Sequence, residues 1–278
     1  MTRACSIFCG QFGRVALLDM DTSLVGHAHP HCHLIFKVAG PDQEFVVEGK
    51  TVPLRHDTVV AVNAWQQHAY NHCPSNERTL FLAFYIEPNW LAEADRIFLG
   101  CARPSFFPRA CVAIGAEIER LRTRLVEHMA EGTIDRPEEL QQLILDLCLQ
   151  VSYGFADWRS CRSPVSGAPR DFRIGRALRY MRDCAAGPLD LDGVARVSGL
   201  SRPHFNHLFR ACTGLSPRLY LNALRIEAAV GRLHQQYDGI GAISDALGFS
   251  APSNFTRFFR QHTGTSPLQF RRVLDDLG

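Results

Sequence analysis

The sequence predicts an α+β, two-domain fold: an N-terminal β-barrel with a helical segment, then an all-α domain that contains two helix-turn-helix units. Three observations support this prediction. Short β-rich runs dominate residues 1–110, a helical period replaces them from residue 112, and one aromatic helical pattern occurs twice after residue 172. We therefore expect a β domain over residues 1–110, a helical hairpin over 111–159, a linker over 160–171 and a helical domain over 172–278.

The β domain is predicted from runs of β-branched and aromatic residues that alternate with turn residues. The clearest runs are residues 45–47, 51–52, 58–62 and 80–86, and Gly, Pro, Asp and Asn separate them. Many short strands with closely spaced turns predict a small barrel or a jelly roll.

Histidines alternate with other residues in the segment 26–38. His27, His29, His31 and His33 would all point to one face if this segment were a single strand. Pro30 is expected to confine the first part to a sheet edge or to the approach to the strand. The segment 63–72 adds another histidine, His68, from a later part of the same domain.

A helical period begins at residue 112. Two apolar stripes at helical spacing are separated by Gly132 and Pro137. They are formed by Ile114, Ile118, Leu121 and Leu125, and by Leu140, Leu143, Ile144, Leu147, Cys148 and Val151. We expect two antiparallel helices, whose stripes either cover the barrel or form a dimer contact. The small residues, Pro and Gly of segment 160–169 predict the linker that follows.

Residues 240–267 have the pattern of a helix-turn-helix. A short helical period ends at Gly248, Ser250 is the expected N-cap, and Pro252 is expected in the first turn of a second helix. Phe255, Phe258 and Phe259 form the predicted buried stripe of that helix, while its polar and Arg side chains face outward. Such a helix can enter the major groove of DNA, although an ordinary helical hairpin would show a similar pattern.

The same pattern occurs a second time, earlier in the chain. It repeats at an offset of 49 residues before the turn and 50 after it, so the later turn has one extra residue. The earlier copy consists of Leu191, Val194, Gly199, Leu200, Ser201, Phe205, Phe209, Arg210, Thr213, Gly214, Ser216 and Pro217. The helical segment 219–233 joins the copies, and a rigid helix there would hold two DNA-reading units at a fixed separation.

Residues 172–274 resemble the DNA-binding domain of the AraC/XylS family of transcription regulators. The resemblance rests on I-x-x-I-x-x-x-x-G-F-S at 240–250, N-F-T-R-F-F-R at 254–260 and H-T-G-T-S-P-L-Q-F-R at 262–271. Three positions depart from the residues that are usual in the family, namely Ser244, Pro203 and Pro252. These departures concern which bases are read and do not change the predicted fold. The histidine segments resemble the two half-motifs of the cupin fold, in keeping with the cupin-like sensor domain that such regulators commonly carry. The resemblance implies double-stranded DNA, RNA polymerase and a small-molecule effector as partners, and a homodimer.

The outward positions of the two recognition helices are the candidate DNA contacts. They are Arg202, Pro203, Asn206, His207 and Arg210 in the first unit, and Pro252, Ser253, Thr256, Arg257 and Arg260 in the second. Asn206 suits adenine and Arg257 suits guanine, whereas Arg210 and Arg260 lie later in their helices and suit phosphate.

The candidate effector site combines histidines with aromatic residues of the barrel. Its predicted members are His31, His33, His68, Trp65 and Phe36. The three histidines could instead bind metal in a cupin-type metal-dependent enzyme or metal sensor, or they could be structural. The cupin motif requires a glutamate where this chain has Lys37 and Val38, so we expect no metal and no cofactor.

Charge and composition agree with a DNA-binding regulator, and we expect no enzymatic activity because an enzyme of the cupin type would leave the duplicated helical units without a role. Residues 1–168 contain 15 basic and 19 acidic residues, a formal charge of −4, and residues 169–278 contain 15 and 9, a charge of +6. An acidic half joined to a basic half indicates a sensor attached to a polyanion-binding domain. We identify no membrane span or signal peptide, and the ten scattered cysteines fit a reducing, cytoplasmic location.

Overall fold

A computed structural model of the protein describes residues 2–73, 77–95, 106–131, 137–156, 171–185, 187, 189–235 and 238–276. The predicted linker, residues 160–171, lies outside this described part apart from Asp171. The predicted α+β, two-domain architecture is confirmed, with strands in the N-terminal half and helices in the C-terminal half.

The described N-terminal strands form two sheets. The strands are β1 (Arg3–Gly10), β2 (Gly13–Met20), β3 (Leu24–His27), β4 (Cys32–Ala39), β5 (Gln43–Val47), β6 (Lys50–Leu54), β7 (Thr58–Val62), β8 (His68–Asn71), β9 (Thr79–Ile86), β10 (Cys111–Ala113) and the C-terminal β11 (Leu274–Asp276). The larger sheet has the order β10-β7-β4-β9-β2-β1-β11, and the smaller one has the order β3-β8-β5-β6. Each β-rich run predicted from the sequence lies in a strand.

The larger sheet has an apolar layer on each face, because side chains alternate along its strands. In β4, Ile35 packs with Phe45 and Val47 of the smaller sheet. Leu34 and Phe36 point to the opposite face and pack against helices. The two sheets are therefore stacked, and the larger one lies between the smaller sheet and a helical layer.

The predicted helical hairpin forms that layer. A short helix α1 (Pro88–Ala94) precedes it, and the hairpin itself consists of α2 (Ala116–Glu131) and α3 (Pro137–Phe155). Ile118, Leu121 and Leu125 of α2 are buried in the same cluster as the outer face of the sheet. The sequence was compatible with two roles for this apolar stripe, covering the sheet or forming a dimer contact. In the structure the stripe covers the sheet.

The C-terminal half contains the two predicted helix-turn-helix units. The helices are α4 (Phe172–Asp183), α5 (Leu191–Val197), α6 (Arg202–Thr213), α7 (Pro217–Gln235), α8 (Ile240–Ala246), α9 (Pro252–Thr263) and α10 (Pro267–Arg272). The turns α5–α6 and α8–α9 each contain a glycine with positive φ, 69° at Gly199 and 74° at Gly248, a conformation that favours glycine. The prediction that Ser250 caps the second recognition helix was wrong. Ala251 is its N-cap, because the extra residue in this turn moves the helix start along by one position.

The two halves of the chain share a hydrophobic core. Ile226, Val230 and Phe259 of the helical half lie in one buried cluster with Ile7 and Leu18 of the larger sheet. At its edge, β11 adds to β1 as a parallel strand, with Leu274 paired to Ile7. The second helix-turn-helix unit is therefore fixed to the sheet by both side-chain packing and backbone hydrogen bonds.

Candidate nucleic-acid interface and interdomain histidine cluster

The second recognition helix, α9, separates an aromatic face from a polar one. Phe255 and Phe259 are fully buried, and Phe258 is half-buried against Phe249 and His262. The predicted DNA-contacting residues lie on the other side: Pro252, Ser253, Arg257 and Arg260 are exposed, and Thr256 is half-buried. Nη2 of Arg257 donates to Oδ1 of Asn254 at 3.0 Å, which holds the guanidinium close to the helix surface.

The first recognition helix, α6, has the same organisation. Phe205 and Phe209 are fully buried, whereas Pro203, Asn206, His207 and Arg210 are exposed and Arg202 is half-buried. Nη1 of Arg202 donates to Oδ1 of Asp192 at 3.2 Å. An open groove of about 400 Å³ runs along this face and is lined by Arg202, Asn206, His207, Arg210 and Arg218, among others. A polar, cationic groove beside an exposed helix face suits a polyanion.

The histidine-rich segment does not form the single strand that the sequence analysis considered. β3 ends at His27 and β4 begins at Cys32, so His29 and His31 lie between strands, on either side of Pro30. The imidazole rings still converge, because β8 pairs with β3 and places His68 opposite His27. The ring centroids of His27 and His68 are 4.3 Å apart, and that of His29 is 5.0 Å from those of His68 and His33.

Each ring of this cluster has its Nδ1 atom against a backbone carbonyl. Nδ1 of His27 lies 2.8 Å from the oxygen of Val25, and Nδ1 of His29 lies 3.1 Å from that of His31. Nδ1 of His68 lies 2.9 Å from the oxygen of Gln66, and His33 makes the same contact with Phe84. A carbonyl can only accept, so each neutral ring has its proton on Nδ1 and its lone pair on Nε2.

Burial keeps these imidazoles neutral. It is the main cause that lowers the pKa of His27 and His29 well below the ordinary value, and neighbouring imidazoles lower both further. Burial also lowers the pKa of His33 and of His68 to about 3. Four neutral rings side by side are compatible with a dry site, whereas four charged ones would repel each other.

Lowering the pH from 7 to 5 is expected to destabilise the fold. The pKa of His33 and of His68 is about 3 in the folded state, whereas the pKa of a histidine in an unfolded chain is about 6.5. The unfolded chain therefore binds more protons between these values, and stability is lost as the pH falls below about 6.5. We expect a loss of roughly 2 kcal/mol per histidine in the free energy of unfolding at pH 5, measured by urea unfolding.

The variant His33→Asn should reduce this pH dependence, and the variant His128→Gln, on α2, should not. An identical pH dependence in the wild type and both variants would refute the assignment of the effect to the buried histidines.

An ion pair joins the cluster to the C-terminal half. Nη1 and Nη2 of Arg14 donate to Oε2 and Oε1 of Glu227 on α7, at 2.9 and 3.1 Å, and the guanidinium lies 3.9 Å from the ring centroid of Tyr85. Burial alone would raise the pKa of Glu227, but the charge of Arg14 holds it below its ordinary value. His31 lies between two carboxylates, with Nε2 2.8 Å from Glu87 and Nδ1 3.7 Å from Glu227.

The structure does not bring all five predicted effector residues together. His33 and His68 belong to the histidine cluster and His31 lies next to it. Phe36 points to the opposite face of β4, in the core beneath α2 and α3. Trp65 lies at the interdomain boundary, where its ring stacks on Tyr220 with centroids 4.6 Å apart. It has a φ of 63°, a strained conformation for a bulky residue.

Trp65 lines a large cleft between the two halves. The cleft has a volume of about 820 Å³ and is lined by Ala64, Trp65, Gln66, Leu178, Arg182, Leu215 and Tyr220, among others. Its volume lies within the range of small-molecule sites, and its walls combine aromatic and apolar groups with an arginine.

Sequence reasoning missed the ion pair between Arg14 and Glu227 that joins the halves. Arg14, Tyr85, Glu227 and His262 line a small pocket together with His27 and His29. Arg14 and Glu227 are separated by 213 positions in the sequence, so no local pattern connects them. An Arg in a run that otherwise reads as a buried strand was the one available signal. Within the described residues, no helix combines the length and hydropathy that crossing a bilayer requires.

Comparison with known proteins finds similarity to helix-turn-helix transcription regulators. A family model described as "Helix-turn-helix domain" matches residues 194–273. The chain is 33% identical over 248 residues to the uncharacterized HTH-type transcriptional regulator YobQ of Bacillus subtilis (strain 168), covering 89% of each protein. It is 25% identical over 236 residues to the HTH-type transcriptional activator RhaS of Salmonella paratyphi A, covering 83% of this chain and 81% of RhaS.

The overall fold also has solved counterparts. Apo ToxT from Vibrio cholerae aligns with a TM-score of 0.57 and 11% identity, over 96% of this chain and 98% of ToxT. ToxT with a bound unsaturated fatty acid aligns with a TM-score of 0.54 and 10% identity, over 99% and 95%. The arrangement of a sheet-rich half and a helical half is therefore shared with these proteins.

Proposed function

The chain belongs to the AraC/XylS family of helix-turn-helix transcription regulators, and we propose that it binds operator DNA through both of its units under the control of a small-molecule effector. The duplication carries this proposal: α6 and α9 each present an exposed polar face above a buried pair of phenylalanines. One such helix fits one major groove. Two of them, joined by α7, can reach successive turns on one side of the duplex, about 34 Å apart.

Within each helix, the proposed roles follow from position and chemistry. Asn206 hydrogen-bonds adenine and Arg257 bonds guanine O6 and N7, because each amide or guanidinium matches that base edge in a bidentate manner. Arg210 and Arg260 bind phosphate from later turns of their helices. The remaining outward residues, Arg202, Pro203, His207, Pro252, Ser253 and Thr256, complete the two surfaces.

The proposed effector is a small molecule with an apolar body and a polar or acidic end. It occupies the cleft beside Trp65, where Tyr220 and Leu178 offer apolar contacts and Arg182 offers a charge. The fatty-acid complex of ToxT, a protein of the same fold, supports this class of ligand. Because the cleft is lined by both halves of the chain, a bound molecule would bias their relative arrangement.

The remaining partners follow from the family. We infer that the protein acts in the cytoplasm as a homodimer that contacts RNA polymerase, and that it is not an enzyme. The competing hypothesis of a metal-dependent enzyme gives no role to the duplicated helix-turn-helix units. Since α2 and α3 use their apolar stripe to cover the sheet, the dimer contact would have to use their outer faces.

Selection of bound sequences from a random duplex DNA pool tests the proposal. We expect the full-length protein to enrich two short sequence elements whose centres lie roughly 10–10.5 base pairs apart, one turn of the double helix. The double variant Asn206→Ala/Arg257→Ala, altered only on the exposed faces, should fold normally and enrich neither element. A single enriched element, or none, would contradict binding through two units.

A further inference from the structure

The histidine cluster, next to α7 and the second recognition helix α9, has features of a ligand site. The ligand nitrogens of His27, His29 and His68 all lie within 4.8 Å of one another. Nε2 of His29 and Nε2 of His68 are buried and have no hydrogen-bond partner among the described residues. A buried lone pair without a partner is costly, and two of them in one cluster of closely spaced imidazoles indicate a ligand that accepts electron pairs.

The surroundings of the three rings match those of metal-binding histidines. Such a histidine usually donates its other ring N–H to a carbonyl or carboxylate, which fixes the tautomer and orients the lone pair. Here the Nδ1 atoms of His27, His29 and His68 meet the carbonyls of Val25, His31 and Gln66. All three rings therefore offer Nε2 as the free donor.

We propose that His27, His29 and His68 bind a divalent transition-metal ion through their Nε2 atoms, and that this ion regulates the attachment of the second recognition helix. Three neutral imidazoles favour Zn²⁺ or a similar late transition metal over Mg²⁺ or Ca²⁺, which prefer oxygen. In a tetrahedral zinc site the nitrogens lie about 3.3 Å apart, as follows from Zn–N distances of about 2.0–2.1 Å. Binding would thus draw the three rings closer together.

The sequence-based objection to a metal does not apply at this position. Lys37 lies four residues after His33 in β4 and occupies the place of the missing glutamate. Its ammonium group pairs with the carboxylate of Asp42. Arg14, which lines the same small pocket as His27 and His29, is paired with the Glu227 carboxylate. No unpaired positive charge among these groups opposes a metal.

The site is connected to a recognition helix. His27 belongs to β3, which packs against α9. The ring of His262, near the end of α9, lies 6.4 Å from that of His27, and Thr263 lines the same small pocket. Movement of β3 on metal binding would therefore be transmitted to the helix that carries Arg257. This regulatory part of the inference rests on the proposed function, and the metal site itself does not.

Titration of the chelator-treated, full-length protein with Co²⁺, a spectroscopic probe for zinc sites, tests the metal site. We expect one equivalent to bind with the visible absorption of a nitrogen-ligated, low-coordinate site, and Zn²⁺ to displace it and raise the Tm. His29→Gln and His68→Gln should weaken binding more than about 100-fold, beyond the 10–100-fold typical of outer contacts, whereas His128→Gln should bind normally. Circular dichroism of each variant confirms folding.

Several outcomes would overturn the inference. Absence of stoichiometric binding, binding that the histidine variants retain, or a thiolate charge-transfer band from the cysteine side chains would each exclude this site. If the site is present, adding Zn²⁺ should change the affinity for a selected operator by about tenfold, within the usual range of coupling between sites. An unchanged affinity would overturn the regulatory role, whereas failure to select any operator, with or without Zn²⁺, would count against the proposed function and leave the spectroscopic result standing.

Discussion

Replacing Arg257 with alanine is expected to weaken binding to a selected operator by about 10- to 100-fold, while binding to random duplex DNA changes little. A bidentate contact between Arg and guanine provides roughly 1–3 kcal/mol of discrimination, and this energy is lost only where the guanine is present. Arg257 is exposed on α9, and the hydrogen bond that its side chain donates to Asn254 is also exposed. The substitution should therefore leave stability nearly unchanged. Fluorescence anisotropy with the two DNA duplexes measures the effect.

Arg260→Ala is the matched control, because it removes the same group one turn later on the same exposed face. A phosphate contact carries no sequence information, so this variant should lose affinity for both duplexes by a similar factor. The slope of log affinity against log salt concentration should also decrease in magnitude by about 1, because the variant releases one counterion fewer on binding. If Arg257→Ala instead behaved like Arg260→Ala, the base-reading role would be refuted.

Replacing Glu227 with alanine is expected to lower the free energy of unfolding by about 3 kcal/mol. The substitution leaves the buried guanidinium of Arg14 without its bidentate partner, and breaking a buried pair in this way typically costs about 3–5 kcal/mol. We expect the lower end of this range, since the Glu227 side chain retains 21% exposure. Urea unfolding followed by Trp fluorescence measures the change and also reports on Trp65 at the same boundary.

The double variant Arg14→Leu/Glu227→Leu distinguishes the cost of leaving one buried charge unpaired from the cost of removing the whole ion pair. It removes both charges, so it should be more stable than Glu227→Ala even though it lacks every hydrogen bond of the ion pair. A Glu227→Ala variant within about 0.5 kcal/mol of the wild type would show that the pair does not fix α7 to the sheet.

The features that the sequence predicts well are those with a local period. The aromatic spacing of Phe205 and Phe209, repeated at Phe255 and Phe259, was sufficient to locate both recognition helices. Their buried faces agree with the structure. Alternating β-branched runs likewise located the strands. In each case residues that are close in sequence are also neighbours in the element, so the pattern contains the information.

The features that the sequence could not predict depend on distant contacts. Pro30 ended the histidine strand, and only the pairing of β3 with β8 restored the cluster by placing His68 opposite His27. Alternation along β4 placed Phe36 on the face opposite His33, but its partner on that face, α2, is far away in the sequence. The apolar stripe of α2 was equally compatible with covering the sheet and with a dimer, because burial by either surface requires the same residues.

The pairing of β11 with β1 has a consequence for biosynthesis. The outer edge of β1 is paired with β11, which lies far from it in the sequence, and the amide of Ile7 donates to the carbonyl of Val273 at 2.9 Å. During translation this edge of β1 is open until the residues of β11 have been synthesised, and an open edge can pair with a strand of another nascent polypeptide. Pairing with β11 thus covers the edge of β1 and leaves a strand of 3 residues as the new edge of the sheet, and such short edge strands pair poorly with other chains.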